Sequence, residues 1–177
     1  MQKITPCLWF DDQAEEAARF YCSIFKNSKL GRITHYGEGA PRPKGTVMTV
    51  RFKLDGQQFL ALNGGPEFKF NEAISLIVNC KTQKEIDRMW KKLSAGGQEV
   101  QCGWLKDQYG VTWQIMPSII GKLMSDRNPE RADRVMQALH QMKKLDIKQL
   151  KQAYGNGKKN KKKRSKEQPE LETAAAQ

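Results

Sequence analysis

The sequence predicts an α+β fold made of two similar βαβββ modules in tandem, with helices appended at the C-terminal end. Three observations carry that expectation. Hydrophobic periodicity reads as strand–helix–strand–strand–strand before residue 67, and the same order recurs after it. Each helix also follows its strand in a similar way: Asp11-Asp12-Gln13-Ala14 leads into the first, Lys81-Thr82-Gln83-Lys84 into the second. Finally, Gly56 and Gly110 align just ahead of the last strand of each half.

Taken in order, Ile4–Phe10 is an apolar run rich in strand formers, ended by Asp11-Asp12. Asp12 is expected to cap a helix over Gln13–Phe25, in which Ala14, Ala17, Ala18, Tyr21 and Phe25 recur at helical spacing. Leu30–Tyr36 and Thr46–Leu54 alternate as strands, and Asp55-Gly56 is a hairpin signal leading into Gln58–Leu62. Asn63-Gly64-Gly65-Pro66 then punctuates the chain. In the second half a strand is expected over Ala73–Cys80 and a helix over Thr82–Leu93, capped by Thr82 and ended at Gly96-Gly97. Strands Glu99–Leu105 and Val111–Met116 flank the turn Asp107-Gln108-Tyr109-Gly110. Beyond Pro117 the pattern is helical over Ile119–Met124, Glu130–Lys143 (opened by Asn128-Pro129) and Ile147–Tyr154. The expected organisation is paired modules over 1–117 (about 1–66 and 67–117), a helical extension over 118–154 and a tail over 155–177.

The 177 residues carry 31 Lys+Arg against 19 Asp+Glu, a formal charge of +12. Residues 143–177 alone hold 11 of those cations and 4 of the acids, so the basic balance belongs mostly to the end of the chain. The tail has almost no apolar residue with which to offset the entropy of ordering, and is expected to be disordered. Within it Lys158, Lys159, Lys161, Lys162, Lys163, Arg164 and Lys166 form a run suited to weak, non-specific contact with phosphate backbones, or simply to solvation. No apolar run reaches the roughly 20 residues of a spanning helix, so no membrane partner is expected. The N-terminus lacks a signal-peptide core, and Cys7, Cys22, Cys80 and Cys102 are too scattered for a disulfide framework or zinc finger. A cytoplasmic location is the expectation.

Several stretches together resemble a known family. They are Phe20-Tyr21 with Phe25, Leu62-Asn63-Gly64-Gly65-Pro66-Glu67-Phe68, Gly103-Trp104-Leu105 with Asp107, and Gly110 with Trp113-Gln114. Over about residues 1–154 the chain is similar to the PhnB-like (3-demethylubiquinone-9 3-methyltransferase-like) proteins. These belong to the vicinal oxygen chelate superfamily of glyoxalases, bleomycin-resistance proteins and dioxygenases. The resemblance implies a curved mixed sheet whose trough, in the enzymes, holds a divalent metal as Lewis acid. The ligand positions it implies fall on Thr5, Leu60, Ala73 and Gln114, and only Gln114 offers a donor. His35 and His140 fall elsewhere, so neither metal nor cofactor is expected. The methyltransferase label finds no support in the residues: no glycine-rich turn follows the first strand, and the chain does not alternate strand and helix as a dinucleotide-type fold would.

Period-two alternation divides each strand between two faces. The purely apolar sets belong under the helices; the mixed sets should line the trough. That places Thr5, Cys7, Trp9, Leu60, Leu62, Ala73, Ser75, Ile77, Thr112, Gln114 and Met116 in the ligand pocket, with Asn63, Trp104 and Asp107 at its rim. An aromatic with a few convergent polar groups is the usual make-up of a small-molecule site, and a closed, empty groove is the plainer alternative. Asp107 reads as the turn-former of Asp-x-x-Gly rather than a general base. The stripe Val135, Leu139, Met142 and Leu145 caps the core or joins two chains. The expected function is metal-free binding of a small molecule by a homodimer, any reaction being unreadable. The alternatives are a glyoxalase- or dioxygenase-type metalloenzyme and a non-catalytic interaction protein.

Overall fold

In the computed structural model the described residues are 3–155. Gly155 ends the last helix, and the lysine-rich run expected to be a disordered tail lies outside the described residues. The elements run β1 (Cys7–Phe10), α1 (Ala14–Ile24), β2 (Lys29–His35), β3 (Val47–Leu54) and β4 (Gln57–Asn63). Then come β5 (Leu76–Cys80), α2 (Gln83–Leu93), β6 (Gln98–Glu99), β7 (Trp104–Lys106) and β8 (Thr112–Pro117), followed by α3 (Ile120–Met124), α4 (Pro129–His140) and α5 (Ile147–Gly155). The two four-stranded sheets have the orders β1-β4-β3-β2 and β5-β8-β7-β6. Each strand of one corresponds to a strand of the other, so the sequence repeat is also a repeat of topology.

The described residues divide into two compact units: 3–76 with 89–99 and 105–113, and 77–88 and 100–104 with 114–155. In the first, β1 runs parallel to β4 while β3 pairs antiparallel with both β4 and β2. The β3–β4 hairpin turns through Asp55 (φ 42°) and Gly56 (φ 90°), left-handed at both positions as a tight two-residue turn requires. α1 buries Ala14, Ala17, Ala18, Tyr21 and Ile24. Beneath it the inward residues Leu8, Phe10, Val50, Phe52, Leu54, Phe59 and Ala61 are buried. Tyr21 stacks on Phe52 at 6.2 Å, and Phe52 on Phe59 at 5.3 Å.

α1 does not start as its sequence suggests. Its N-cap is Gln13, with no side-chain cap of its own, and the Ala14 N–H donates instead to Asn63 Oδ1 at 2.7 Å. Residue 63 ends β4, so an orphan donor of the helix is satisfied by a side chain 49 positions away rather than by Asp12. β1 is also shorter than the apolar run, because its pairing with β4 begins only at Cys7↔Leu60. Ile4 is left 84% exposed.

The second unit holds an apolar cluster of Leu123, Val135, Leu139, Met142, Leu145 and Leu150. The helical stripe is therefore spent inside the unit. α4 opens with Pro129 at its first turn, and the Asn128 side chain accepts from Glu130 N–H at 3.0 Å. Thr82 caps α2 by accepting from Glu85 N–H at 3.2 Å, as expected. The single strand read over Glu99–Leu105 is instead β6 and β7, separated by a turn in which Cys102 (φ 63°) and Gly103 (φ 82°) are left-handed. Their N–H groups donate to Met142 O at 2.7 Å and Lys143 O at 2.8 Å. A Cβ on Gly103 would meet Leu145 and the Ile115 carbonyl at 3.0 Å, which explains the glycine.

Candidate functional site on the outward face of the first sheet

Strand register places side chains on the face of the first sheet that α1 leaves uncovered. Reading across β1, β4, β3 and β2, one row is Trp9, Leu62, Thr49 and Thr34. The next is Cys7, Leu60 and Arg51; a third is Gln58, Lys53 and Lys29. Thr5 precedes Cys7 on the same face. Five of the sequence-derived pocket residues (Thr5, Cys7, Trp9, Leu60 and Leu62) are thereby brought together. Trp9 is held at one end: its indole N–H donates to Gly65 O at 2.9 Å, and its ring meets Phe68 edge-on at 5.0 Å. The ring sits so close to Gly64 that a Cβ there would lie 2.3 Å from it. Thr34 and Thr49 share a hydroxyl–hydroxyl bond of 2.6 Å. Burial raises the Cys7 thiol above its ordinary value, which leaves it protonated and a poor nucleophile near neutrality.

The opposite end of the same face is cationic. A groove of about 390 Å³ is lined by Thr5, Gln58 and Leu60 together with Lys29, Arg32, Arg51 and Lys53. Sequence reasoning missed these four cations. The alternation of Arg51 and Lys53 in β3 was a visible signal, but the bulge that adds Arg32 was not. A register shift between Leu30 and Ile33 sets Gly31 and Arg32 together against Arg51.

Ala73 and Ile77 are exposed, and Ser75, Gln114 and Trp104 are half-buried. Met116 packs against the apolar cluster of the second unit. Thr112 is buried, and its hydroxyl has no hydrogen-bond partner among the described residues. Asn63 is buried and bonded throughout: besides holding Ala14, its amide donates to Val47 O at 3.0 Å and its carbonyl accepts from Tyr36 at 2.5 Å.

Asp107 is the best-partnered polar group of the first unit. One carboxylate oxygen accepts from Tyr109 N–H (2.9 Å) and Val111 N–H (3.0 Å). The other accepts from the Tyr21 hydroxyl and the Trp113 indole, both at 2.8 Å. Burial pushes its pKa up in spite of those four donors. With every lone-pair direction engaged and 3% of its surface exposed, it ties a turn to α1 and has no capacity left for a substrate proton. Tyr109, next to it, donates its hydroxyl to Glu16 at 2.8 Å.

The donor set does not fit a divalent metal. Thr5, Leu60 and Ala73 offer no ligand of the usual kind, and among the described residues no three of His, Cys, Asp and Glu gather to hold an ion.

A tandem βαβββ repeat with two sheets of matching strand order is the α+β architecture that the sequence predicts. The profile of the 3-demethylubiquinone-9 3-methyltransferase family matches residues 2–116, and the chain belongs to that PhnB-like family. It is similar to a PhnB protein from Bacillus cereus of known structure: 39% identity, 66% of this chain, 99% of that one and a TM-score of 0.61. A Pseudomonas aeruginosa protein shares the fold at 21% identity and a TM-score of 0.53, covering 64% of this chain and 95% of its own. A glyoxylase/bleomycin resistance protein/dioxygenase domain from Frankia matches at 15% identity and a TM-score of 0.39, over 64% of this chain and 89% of that domain. No curated protein matches the chain. The methyltransferase wording is a family label, and no specific reaction is attached to the fold.

Proposed function

We propose that the protein binds a small molecule on the outward face of its first sheet, without a resident metal. The supporting observation is the arrangement on that face: Trp9, Leu62, Leu60 and Cys7 give an apolar track, bordered by hydroxyls at one end and by a lined groove at the other. A thermal-shift panel of small molecules on the full chain and on Leu60→Gln tests it. A compound that raises the wild-type Tm by several degrees, and loses most of that effect in the variant, supports the reading. If no compound shifts the wild type, or every active compound acts equally on both proteins, the reading fails. One equivalent of zinc, nickel, iron or manganese in protein purified without chelator would favour the metalloenzyme alternative instead.

We infer further that two copies of the chain pair and that the protein works in the cytoplasm. Ile4, Phe68, Ile74 and Ile77 are large apolar residues left exposed, which supports pairing of two chains. A monomer by light scattering at tens of micromolar would count against that. The four cysteines are all free, which supports a cytoplasmic setting, and no helix of the described residues is long and apolar enough to cross a membrane.

A further inference from the structure

Resting on that reading of the outward face, we infer that its ligand is an amphiphilic anion, whose carboxylate, phosphate or sulfonate head lies among Lys29, Arg32, Arg51 and Lys53 while its apolar body runs along Leu60 toward Trp9. Three observations converge on the anionic head. First, Lys29 stands directly opposite Lys53 in the β2–β3 ladder, and like charges facing one another across a strand pair are destabilising. Second, the bulge at Gly31–Arg32 adds another cation beside Arg51 in place of a neutralising residue. Gly31 permits that approach, since a Cβ there would lie 3.0 Å from the Arg51 carbonyl oxygen. Third, none of these four side chains has an acidic partner among the described residues. Some cations elsewhere do: Arg42 with Asp11, Lys106 with Glu72, Arg131 with Asp126 and Lys144 with Asp87.

The cleft at the start of α1 makes the contrast plain. It is larger, at about 770 Å³, yet its arginines Arg19 and Arg42 are already bonded to Glu15 and Asp11. The groove on the sheet keeps its four charges uncommitted, and a ligand anion would relieve the repulsion while forming charge-assisted bonds. Its volume of about 390 Å³ suits a small molecule rather than a polymer. An apolar body is called for because the groove opens onto Leu60, in register with Cys7 and one row from Trp9 and Leu62.

Titration of the full chain with 1-anilinonaphthalene-8-sulfonate, an aromatic anion, and with N-phenyl-1-naphthylamine, its uncharged parent, tests the inference. The anion should bind at one site per chain, and Arg51→Gln/Lys53→Gln should weaken it by about tenfold or more while leaving the neutral probe within about twofold. The lysine-rich run is intact in both proteins, so it cannot produce that difference. Inorganic phosphate and benzoate as competitors show which head group the cations prefer, and displacement by either supports the inference. If the double variant binds both probes as the wild type does, and Leu60→Gln still loses them, the face binds ligands without anion selectivity and this inference is overturned alone. If Leu60→Gln has no effect on either probe, the underlying reading falls with it. Displacement of the sulfonate by a single-stranded oligonucleotide, but not by phosphate or benzoate, would show a nucleic-acid surface and overturn the small-molecule assignment.

Discussion

Asp107 and the Arg51 groove lie in the same compact unit and treat charge in opposite ways. Around the buried carboxylate two backbone amides, a phenol and an indole fill the available acceptor directions. In the groove four cations gather with no acidic partner among the described residues, two of them facing each other across a strand pair. A buried polar group must be satisfied at once or the fold loses stability, whereas partly exposed charges can be left for a ligand to meet. The difference separates a carboxylate that builds the protein from cations that are free to serve it. An acid in a cleft is the usual first candidate for catalysis; here the complete set of donors assigns it to the scaffold.

The largest expected effect comes from breaking the satisfied side. Asp107→Ala would strand the Tyr21 hydroxyl, the Trp113 indole and two amides in a buried site, and should cost about 3 kcal/mol or more in urea unfolding. A loss under about 1 kcal/mol would mean that the network is not a structural hub. An intermediate effect concerns pH. Burial, helped by the bond to Glu16, pushes Tyr109 up to about 12, against roughly 10 for an unfolded phenol. The folded chain keeps that proton longer. The stability the group contributes is therefore complete below about pH 10 and disappears as pH rises through 12. Absorbance at 295 nm during alkaline titration should show the phenols of Tyr21 and Tyr109 ionising late in the native protein, both held up chiefly by burial, and Tyr109→Phe should remove one of the two. The smallest effect belongs to the unsatisfied side: Lys53→Gln relieves the repulsion with Lys29 and should leave the unfolding free energy unchanged or slightly higher, by about 0.5 kcal/mol at most in urea unfolding. A clear loss of stability there would mean that the cations support the sheet.

The order of elements was legible because each rests on local signals. The left-handed turn at Asp55-Gly56, the Thr82 and Asn128-Pro129 helix starts and the stripe from Val135 to Leu145 all stand where the residues indicated. The misses share a cause, which is that distant partners decide them. Asn63 rather than Asp12 meets the first amide of α1, and the carbonyls of Met142 and Lys143 hold the turn that divides β6 from β7. In the candidate site, alternation correctly put Cys7, Trp9, Leu60 and Leu62 on one face. The Asp-x-x-Gly pattern exposed the turn at Asp107 but not Tyr21 or Trp113 as its other donors. The cationic groove depends on strand register and a bulge, neither of which one strand's sequence contains.

The direct test of the division between scaffold and binding face is a two-dimensional proton–nitrogen NMR titration of the full chain with 1-anilinonaphthalene-8-sulfonate. The amides of Arg51, Lys53 and Leu60 should shift in a saturable manner, while the Trp113 indole and the amides of Tyr109 and Val111 stay in place. Shifts centred on that indole and those two amides, with Arg51, Lys53 and Leu60 unmoved, would contradict the account.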